Sequence, residues 1–413
     1  MSPASPRPVA EAMGYAVRRP PARPGCACEG RLCKSRAGDF SPPARDVATA
    51  LGALSAWPPM CAIIGSMDEV TFLETLLRIP SLSGQEGEAA AFLVGQMDAF
   101  GWKAHVDAAG NAVGLLGDSG PLVVLLGHID TVPGAIPVRI ADGRLYGRGA
   151  VDAKGPFATF VQAARRAELA GRLRCRLALV GATEEESASS KGAHYARDRY
   201  APVACVIGEP SGWERVTLGY KGRLLAHYRL EQPSAHSAGE LRAAPETLVE
   251  FWRAVEARCT AHNAGHERLF EQLIPSLRRV TSGGDGMTDW CEATVGLRLP
   301  EGVDHTALAE ELTALAGTAK VRFEGGCPAF RSPRTTPLAG AFVRAIRGQG
   351  GQPGFLHKTG TADMNVVGPA WGCPIVAYGP GDSRLDHTPD EHVAVAEYQQ
   401  AIAVLTEVLA QLG

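Results

Sequence analysis

At 413 residues, 45% of them apolar and 21% charged, the chain has the composition of a globular protein with room for two domains. Its 41 basic and 44 acidic residues leave a net charge of −3, which gives no general attraction to nucleic acid or an anionic membrane, and no apolar run is long enough to span a bilayer. The ten cysteines are scattered, and Cys175 and Cys205 lie in apolar surroundings, which reads as reduced thiols of a cytoplasmic protein rather than a disulfide framework.

Residues 1–66 differ from the rest. They are rich in Pro, Arg and Ala, carry 8 basic against 4 acidic residues, and have no stable apolar period. Such a segment buries too little surface to fold alone. It reads as a disordered extension or a mis-assigned start, with the globular part opening at Met67 or Met60. A basic targeting peptide is the alternative, but a clean apolar core and cleavage site are missing. Cys26, Cys28 and Cys33 have no fourth ligand nearby, which argues against a zinc site. The remainder, with 33 basic and 40 acidic residues, carries −7.

Helical spacing predicts helices over 69–79 and 85–100, with the Ser81-Leu-Ser-Gly84 link supplying an N-cap. Apolar strands are expected at 122–126, 174–180, 203–207 and 374–378, and a helix at 156–170 with Pro156 in its first turn. Near-continuous apolar strands separated by helices imply an α/β fold, a mostly parallel sheet with helices on both faces. From residue 213 the pattern changes. A half-exposed strand at 215–231, a helix at 244–259, strands at 274–281 and 290–299, a helix at 305–316 and a strand at 319–325 give β-α-β-β-α-β, the ferredoxin-like α+β arrangement. The expected division is a first domain of 67–212 and 329–413 with 213–328 inserted. Helices at 336–348 and 391–411 complete the first domain.

The run Leu122–Gly127 ends in His128-Ile-Asp130. Side chains two apart on a strand point the same way, so Asp130 stands beside His128 and can accept its N–H, which a metal-binding imidazole needs. A capped strand end with a solvated Asp fits equally well on these residues alone. Further acids follow the other strands: Asp152 in a glycine-rich turn, Glu184-Glu185-Glu186, Glu209, and Asp386-His387-Thr-Pro-Asp-Glu391. Sites in open α/β sheets form at the carboxyl ends of the strands, so these clusters converge. Packed carboxylates repel unless a cation is present, and two histidines with several carboxylates suit Zn²⁺, Co²⁺ or Mn²⁺. The set is large enough for two ions, with one carboxylate bridging and another left to take a proton from water.

His128-x-Asp130, the turn around Asp152, Thr183-Glu-Glu-Glu186, Gly208-Glu-Pro210 and His387 resemble the M20 family of co-catalytic metallopeptidases and deacylases, over residues 67–413. The resemblance implies a zinc-peptidase-like catalytic domain with an inserted dimerisation domain. It implies that His128, Asp152, Glu186, Glu209 and His387 hold two divalent ions, zinc or cobalt, with Asp152 as the bridge. Glu185 would be the general base and Asp130 would orient His128. His236, in Pro233-Ser-Ala-His236-Ser-Ala, would reach across a homodimer to the partner's oxyanion; on the residues alone it reads equally as a surface histidine.

Three strings, Gly127–Gly134 with Ile136-Pro-Val-Arg139, Gly147–Pro156, and Lys358–Asn365, resemble the branch of this family that releases lysine or ornithine from the carrier protein LysW in lysine and arginine biosynthesis. The substrate would be an amide at the end of a small acidic protein, with no nucleic acid and no membrane involved. Arg298 with Gly360 and Thr361 would hold the product's α-carboxylate, since a guanidinium fork suits that group; a salt-bridged strand residue is the alternative for Arg298. Asp363 is a candidate for the distal ammonium, and Lys221, Arg223, Arg331 and Arg334 for a basic rim. Two other readings compete: a small-molecule N-acyl amino acid deacylase, such as an acetylornithine deacetylase or succinyl-diaminopimelate desuccinylase, and a scaffold that has lost its metals.

Overall fold

The computed structural model describes residues 67–412 apart from Ser237, Ala238 and Glu240; the expectations for residues 1–66 lie outside the described residues. Helix α1 (Glu69–Arg78) is capped by Asp68, whose side chain accepts from the amides of Val70 and Thr71. Helix α2 (Gly87–Ala99) follows a turn but has no side-chain cap. The serines expected to cap it are drawn elsewhere: Ser81 Oγ donates to the carbonyl of Ile129 and Ser83 Oγ to Asp130 Oδ2, each over 2.7 Å.

Strands β1 (Lys103–Val106), β2 (Ala112–Leu116) and β3 (Leu122–His128) come next, then the short β4 (Arg139–Ala141) and β5 (Arg144–Tyr146), and α3 (Lys154–Leu169). On β3, Val123 and Leu125 enter one core while Val124 and Leu126 enter the other, which is why this strand is apolar without alternation. After it come β6 (Arg176–Ala182), α4 (Lys191–Arg197), β7 (Ala204–Gly208) and β8 (Arg215–Tyr220).

The expected strand over 215–231 is two strands. β8 lies in the large sheet, and the chain leaves it at Lys221 to begin β9 (Gly222–Pro233) in a second sheet. Gly222 sits so close to the returning backbone at Cys327–Ala329 that a side chain could not be accommodated. Lys221 is fully buried. Its Nζ donates to the carbonyls of Leu269 and Phe270 over 3.1 Å and to that of Gln272, and burial pushes the amine down to about 8. The second sheet continues through α5 (Ala244–Asn263), β10 (Ile274–Gly284), β11 (Thr288–Leu299), α6 (His305–Leu315) and β12 (Lys320–Cys327). Its order β10-β11-β9-β12, antiparallel throughout, is the ferredoxin-like pattern, with α5 and α6 packed on one face.

The chain then returns as β13 (Phe330–Arg331), α7 (Pro337–Gly348), β14 (Gly354–Lys358), α8 (Met364–Trp371), β15 (Ile375–Tyr378), β16 (His392–Ala394) and α9 (Val395–Leu409). The final helix starts at Val395, later than expected, because His392–Ala394 pairs with β5. The large sheet runs β1-β2-β6-β3-β7-β15-β8-β13, with β14 against β8. Its centre, β6, β3, β7 and β15, is parallel, and β1, β2, β8 and β13 add antiparallel pairs at the flanks. Helices α1, α2, α3, α7 and α9 cover one face and α4 and α8 the other, so the expected α/β architecture with helices on both faces is borne out. Among the described residues no helix is long and apolar enough to cross a membrane.

Replacing Lys221 by Met keeps most of the aliphatic stem but leaves the carbonyls of Leu269, Phe270 and Gln272 without their donor. We expect a loss of about 1–3 kcal/mol in unfolding free energy, measured by urea denaturation. An unchanged midpoint would mean that the ammonium does not stabilise the crossover.

Candidate active site

The four parallel strands end on one edge of the large sheet, and the acidic loops follow from there. His128 closes β3. Its Nε2 lies 3.2 Å from Asp152 Oδ1, and its Nδ1 lies 3.1 Å from the carbonyl and 3.4 Å from Oδ1 of Asp130. From the loop after β15, His387 Nε2 reaches Asp152 Oδ2 at 3.1 Å and Glu186 Oε1 at 2.8 Å. The two oxygens of one carboxylate therefore face two different imidazoles. Donor atoms of His128, Asp152 and Glu186 all lie within 4.8 Å of one another, and Glu209, buried at the end of β7, lines the same cavity.

Backbone amides hold this arrangement. Asp130 stands beside His128, as its spacing implied, and it also accepts from the amide of Glu185 at 3.1 Å, the amide of Glu186 at 3.0 Å and Ser83 Oγ. Asp130 thus meets the imidazole with its backbone carbonyl and its carboxylate, and the carboxylate also fixes the doublet after β6. Glu391 does the same for the turn that carries Asp152. It accepts from the amides of Gly149, Val151 and Asp152 over 2.9–3.1 Å and pairs with Arg148 at 2.7 Å. Its carboxylate is therefore committed to the turn. Glu184 and His387 both adopt φ of 60°, a left-handed conformation that costs a non-glycine residue about 1–3 kcal/mol and persists only where surrounding bonds impose it.

The electrostatics follow from crowding. Burial raises Glu185 well above the usual carboxylate range, and the charges of Glu209, Asp363 and Glu186 add to this against the pull of His128. Glu209 is raised well above its range by burial and by Asp152, and Asp386 is pushed up to about 8 by the same two causes. Glu186 is raised by burial although His387 opposes it. For Asp152 burial acts upward, but hydrogen bonds from His128 and His387 hold it below its ordinary value. Burial opposes charge on His128, yet Asp130 and Asp152 raise it well above normal. His387 rises to about 10 beside Asp152 and Glu186. Acids forced to keep protons and imidazoles forced to keep charge are what a cation site looks like when protons do the neutralising. Imidazole nitrogens, a carboxylate shared between them, and buried carboxylates on both sides fit divalent metal ions.

The cavity has a volume of about 610 Å³, and Glu185, Arg298, Gly360 and Thr361 line it together. Arg298 donates to Thr361 Oγ1 at 2.9 Å, so the residues expected at the substrate meet in the same cavity as the acidic cluster. Asp363 does not face the cavity; it is buried, with neither carboxylate oxygen hydrogen-bonded among the described residues, and burial pushes it up to about 7. His236 is exposed beyond the far end of β9 and does not line the cavity of its own chain. Of the proposed basic rim, Arg223 lines the cavity, Lys221 is buried, Arg331 pairs with Glu301 at 2.8 Å, and Arg334 is exposed. Arg278, which also lines the cavity, escaped the sequence reading, as did the anchoring roles of Ser83, expected as a cap, and of Glu391, expected among the clustered acids. The Arg278-Arg279 doublet was a readable signal, since two adjacent charges break strand alternation.

The profile of peptidase family M20/M25/M40 matches residues 124–411. A [LysW]-lysine hydrolase of Deinococcus radiodurans is 48% identical over 341 residues, covering 81% of this chain and 94% of that protein. A protein of Thermococcus kodakarensis, provisionally named a [LysW]-lysine/[LysW]-ornithine hydrolase, is 40% identical over 85% of this chain and 94% of its own length. Among solved structures, an M20 family metallo-carboxypeptidase of Sulfolobus solfataricus aligns with a TM-score of 0.71 at 18% identity, over 84% of this chain and 99% of that one.

Stripped of divalent metal, the protein should lose stability as pH rises. Asp363 near 7, Asp386 near 8 and His387 near 10 keep protons in the folded state that the unfolded chain, with values near 3.8, 3.8 and 6.5, has released. The folded state therefore binds more protons across about pH 4–8, and unfolding free energy falls through that window; above it Lys154 and Lys221, each lowered to about 8 by burial, act the other way. Thermal unfolding in chelator and in Zn²⁺ should diverge with pH, the metal raising Tm more at pH 8 than at pH 5. A metal-induced shift that is the same at both would contradict this account.

Proposed function

We propose, on the premise that the chain belongs to peptidase family M20/M25/M40, that it is a metal-dependent amide hydrolase releasing lysine or ornithine from the γ-carboxyl of the C-terminal glutamate of LysW. The observation that carries the chemistry is Asp152 shared between His128 and His387 with Glu185 lining the same cavity. Support for the substrate comes from the 48% identity to the Deinococcus radiodurans [LysW]-lysine hydrolase across 94% of that protein. A cytoplasmic homodimer using zinc, with cobalt able to substitute, is part of the same proposal.

His128, Asp152 and Glu209 would hold one ion and Asp152, Glu186 and His387 the other. Bound there, the ions supply Lewis acidity toward the scissile carbonyl and make water acidic enough to lose a proton near neutral pH. The chain's own residues do the rest. Glu185, lining the cavity beside these ligands, takes the proton of the attacking water and delivers it to the departing α-amine. Arg298, braced on Thr361, holds the α-carboxylate of the leaving amino acid. His236 of the partner subunit donates toward the carbonyl oxygen as it gains negative charge, a role compatible with its distance from the cavity of its own chain.

Mass spectrometry of a carrier protein ending in γ-linked lysine, incubated with the protein and Zn²⁺, should report loss of one lysine, with little acetate from Nα-acetylornithine. Acetate release with an untouched carrier would move the protein to the small-molecule deacylases. Glu185→Gln should lower kcat by about 10²–10⁴ while metal content stays at the wild-type level; full activity would end the base assignment. Mixing and reassociating inactive Glu185→Gln and His236→Ala chains should regain activity, because each hybrid dimer holds one site with both groups intact. No recovery in verified hybrids would end the role in trans.

A further inference from the structure

On β11, Ala293, Val295 and Leu297 pack against the helices, so Thr294, Gly296 and Arg298 occupy the open face of the small sheet. A regular β10 would send Arg278 and Arg279 to opposite faces. The register prevents this. Leu277 pairs with Val295, but Thr294 pairs with Arg279, leaving Arg278 as an extra residue. Such a bulge bends the strand and re-aims a side chain. Arg279 then borders a groove with Thr294, while the guanidinium of Arg278 lies over Gly296, where an added Cβ would stand 2.5 Å from Nε. Both arginines therefore serve the open face, and Arg278 enters the cavity beside Glu185 and Arg298. The glycine is required for that placement.

Three guanidiniums, Arg223, Arg278 and Arg298, line one cavity. Among the described residues none of them pairs with a carboxylate; Arg298 donates to Thr361 and Arg223 to the carbonyl of Gly325. Burial and the charges of Arg278 and Arg223 lower the pKa of Arg298, so the cluster is short of negative charge. One carboxylate, on the leaving amino acid, is answered by Arg298. A simple acyl group such as acetyl would give Arg278 nothing to bind. A γ-linked glutamate brings a second free carboxylate on the acyl side of the amide.

We propose that Arg278, delivered by the β10 bulge across Gly296, is a specificity residue that binds a free carboxylate on the acyl side of the scissile amide while Arg298 binds the one on the amine side. This rests on the reading of the site as a γ-glutamyl amide hydrolase. The test compares Nα-(N-acetyl-γ-glutamyl)-lysine with the same compound carrying a carboxamide in place of the glutamyl α-carboxylate, using the zinc-loaded full chain. Wild type should favour the acid about tenfold or more in kcat/KM, a reasonable scale for one charge-assisted bidentate contact. In Arg278→Ala the preference should shrink to within about twofold, chiefly through KM of the acid, and Arg278→Lys should keep part of it. Gly296→Ala, which displaces the guanidinium without removing it, should behave like Arg278→Ala. No preference in wild type, or the same preference in wild type and Arg278→Ala, overturns the proposal. Hydrolysis of neither compound alongside release of acetate from Nα-acetyl-lysine would instead sink the γ-glutamyl reading, and this proposal with it.

Discussion

Carboxylates confined near one another at the edge of a sheet are the constraint on which this structure depends. Asp152, Glu185, Glu186, Glu209 and Asp386 line one cavity, where burial penalises each charge and the neighbours compound the penalty. Without a cation the cost can be met only by protons, and Glu185, Glu209 and Asp386 are accordingly raised. Replacing well-packed apolar residues with such a cluster lowers stability. A fold retains it only for something the cluster does, and binding a divalent ion that accelerates hydrolysis is what these donors are suited to.

Holding mutually repelling groups in place requires anchors whose own charge is already answered, as His128 answers Asp130 and Arg148 answers Glu391. The chain uses backbone amides. Asp130 takes the amides of Glu185 and Glu186, and Glu391 takes three amides of the turn bearing Asp152. Each anchoring carboxylate satisfies donors that would otherwise be buried without partners, so fixing the site and closing the loops are one set of bonds. The left-handed backbone at Glu184 and His387 sits within this network, where the cost of the conformation is offset by the bonds around it.

Much of this was legible in the sequence because strand ends obey simple geometry. A buried parallel strand is an uninterrupted apolar run, and the residues just beyond its last apolar position must emerge at the site edge. Hence β3, β6, β7 and β15 and the acids behind them could be read directly. The crossover at Lys221 could not, because β8 and β9 form one continuous alternating stretch and only tertiary packing at Gly222 divides them. The anchoring roles of Ser83 and Glu391 were hidden for a related reason: their partners are a carboxylate and backbone amides distant in sequence, and such bonds leave no periodic trace. Lys221 carried a surface residue's charge and turned out buried, since three carbonyls can substitute for water around an ammonium.

The two sheets divide the electrostatic labour. Strand ends of the large sheet concentrate anions and histidines, which suits cations and the reacting carbonyl. The open face of the small sheet contributes Arg223, Arg278 and Arg298, which suits anions flanking that carbonyl. An amide with a carboxylate on each side satisfies both sets at once, whereas an amide with a neutral acyl group leaves one guanidinium unanswered. A guanidinium covered by such a substrate would lose its water without gaining an anion, which costs more than an unfilled apolar pocket. Selectivity can therefore come from the inserted sheet without altering the hydrolytic groups. Because the arginines lie on strands and not on loops, their spacing is set by β pairing, and the irregularity in the pairing of β10 with β11, between Leu277 and Arg279, falls where a regular strand would have turned an arginine away.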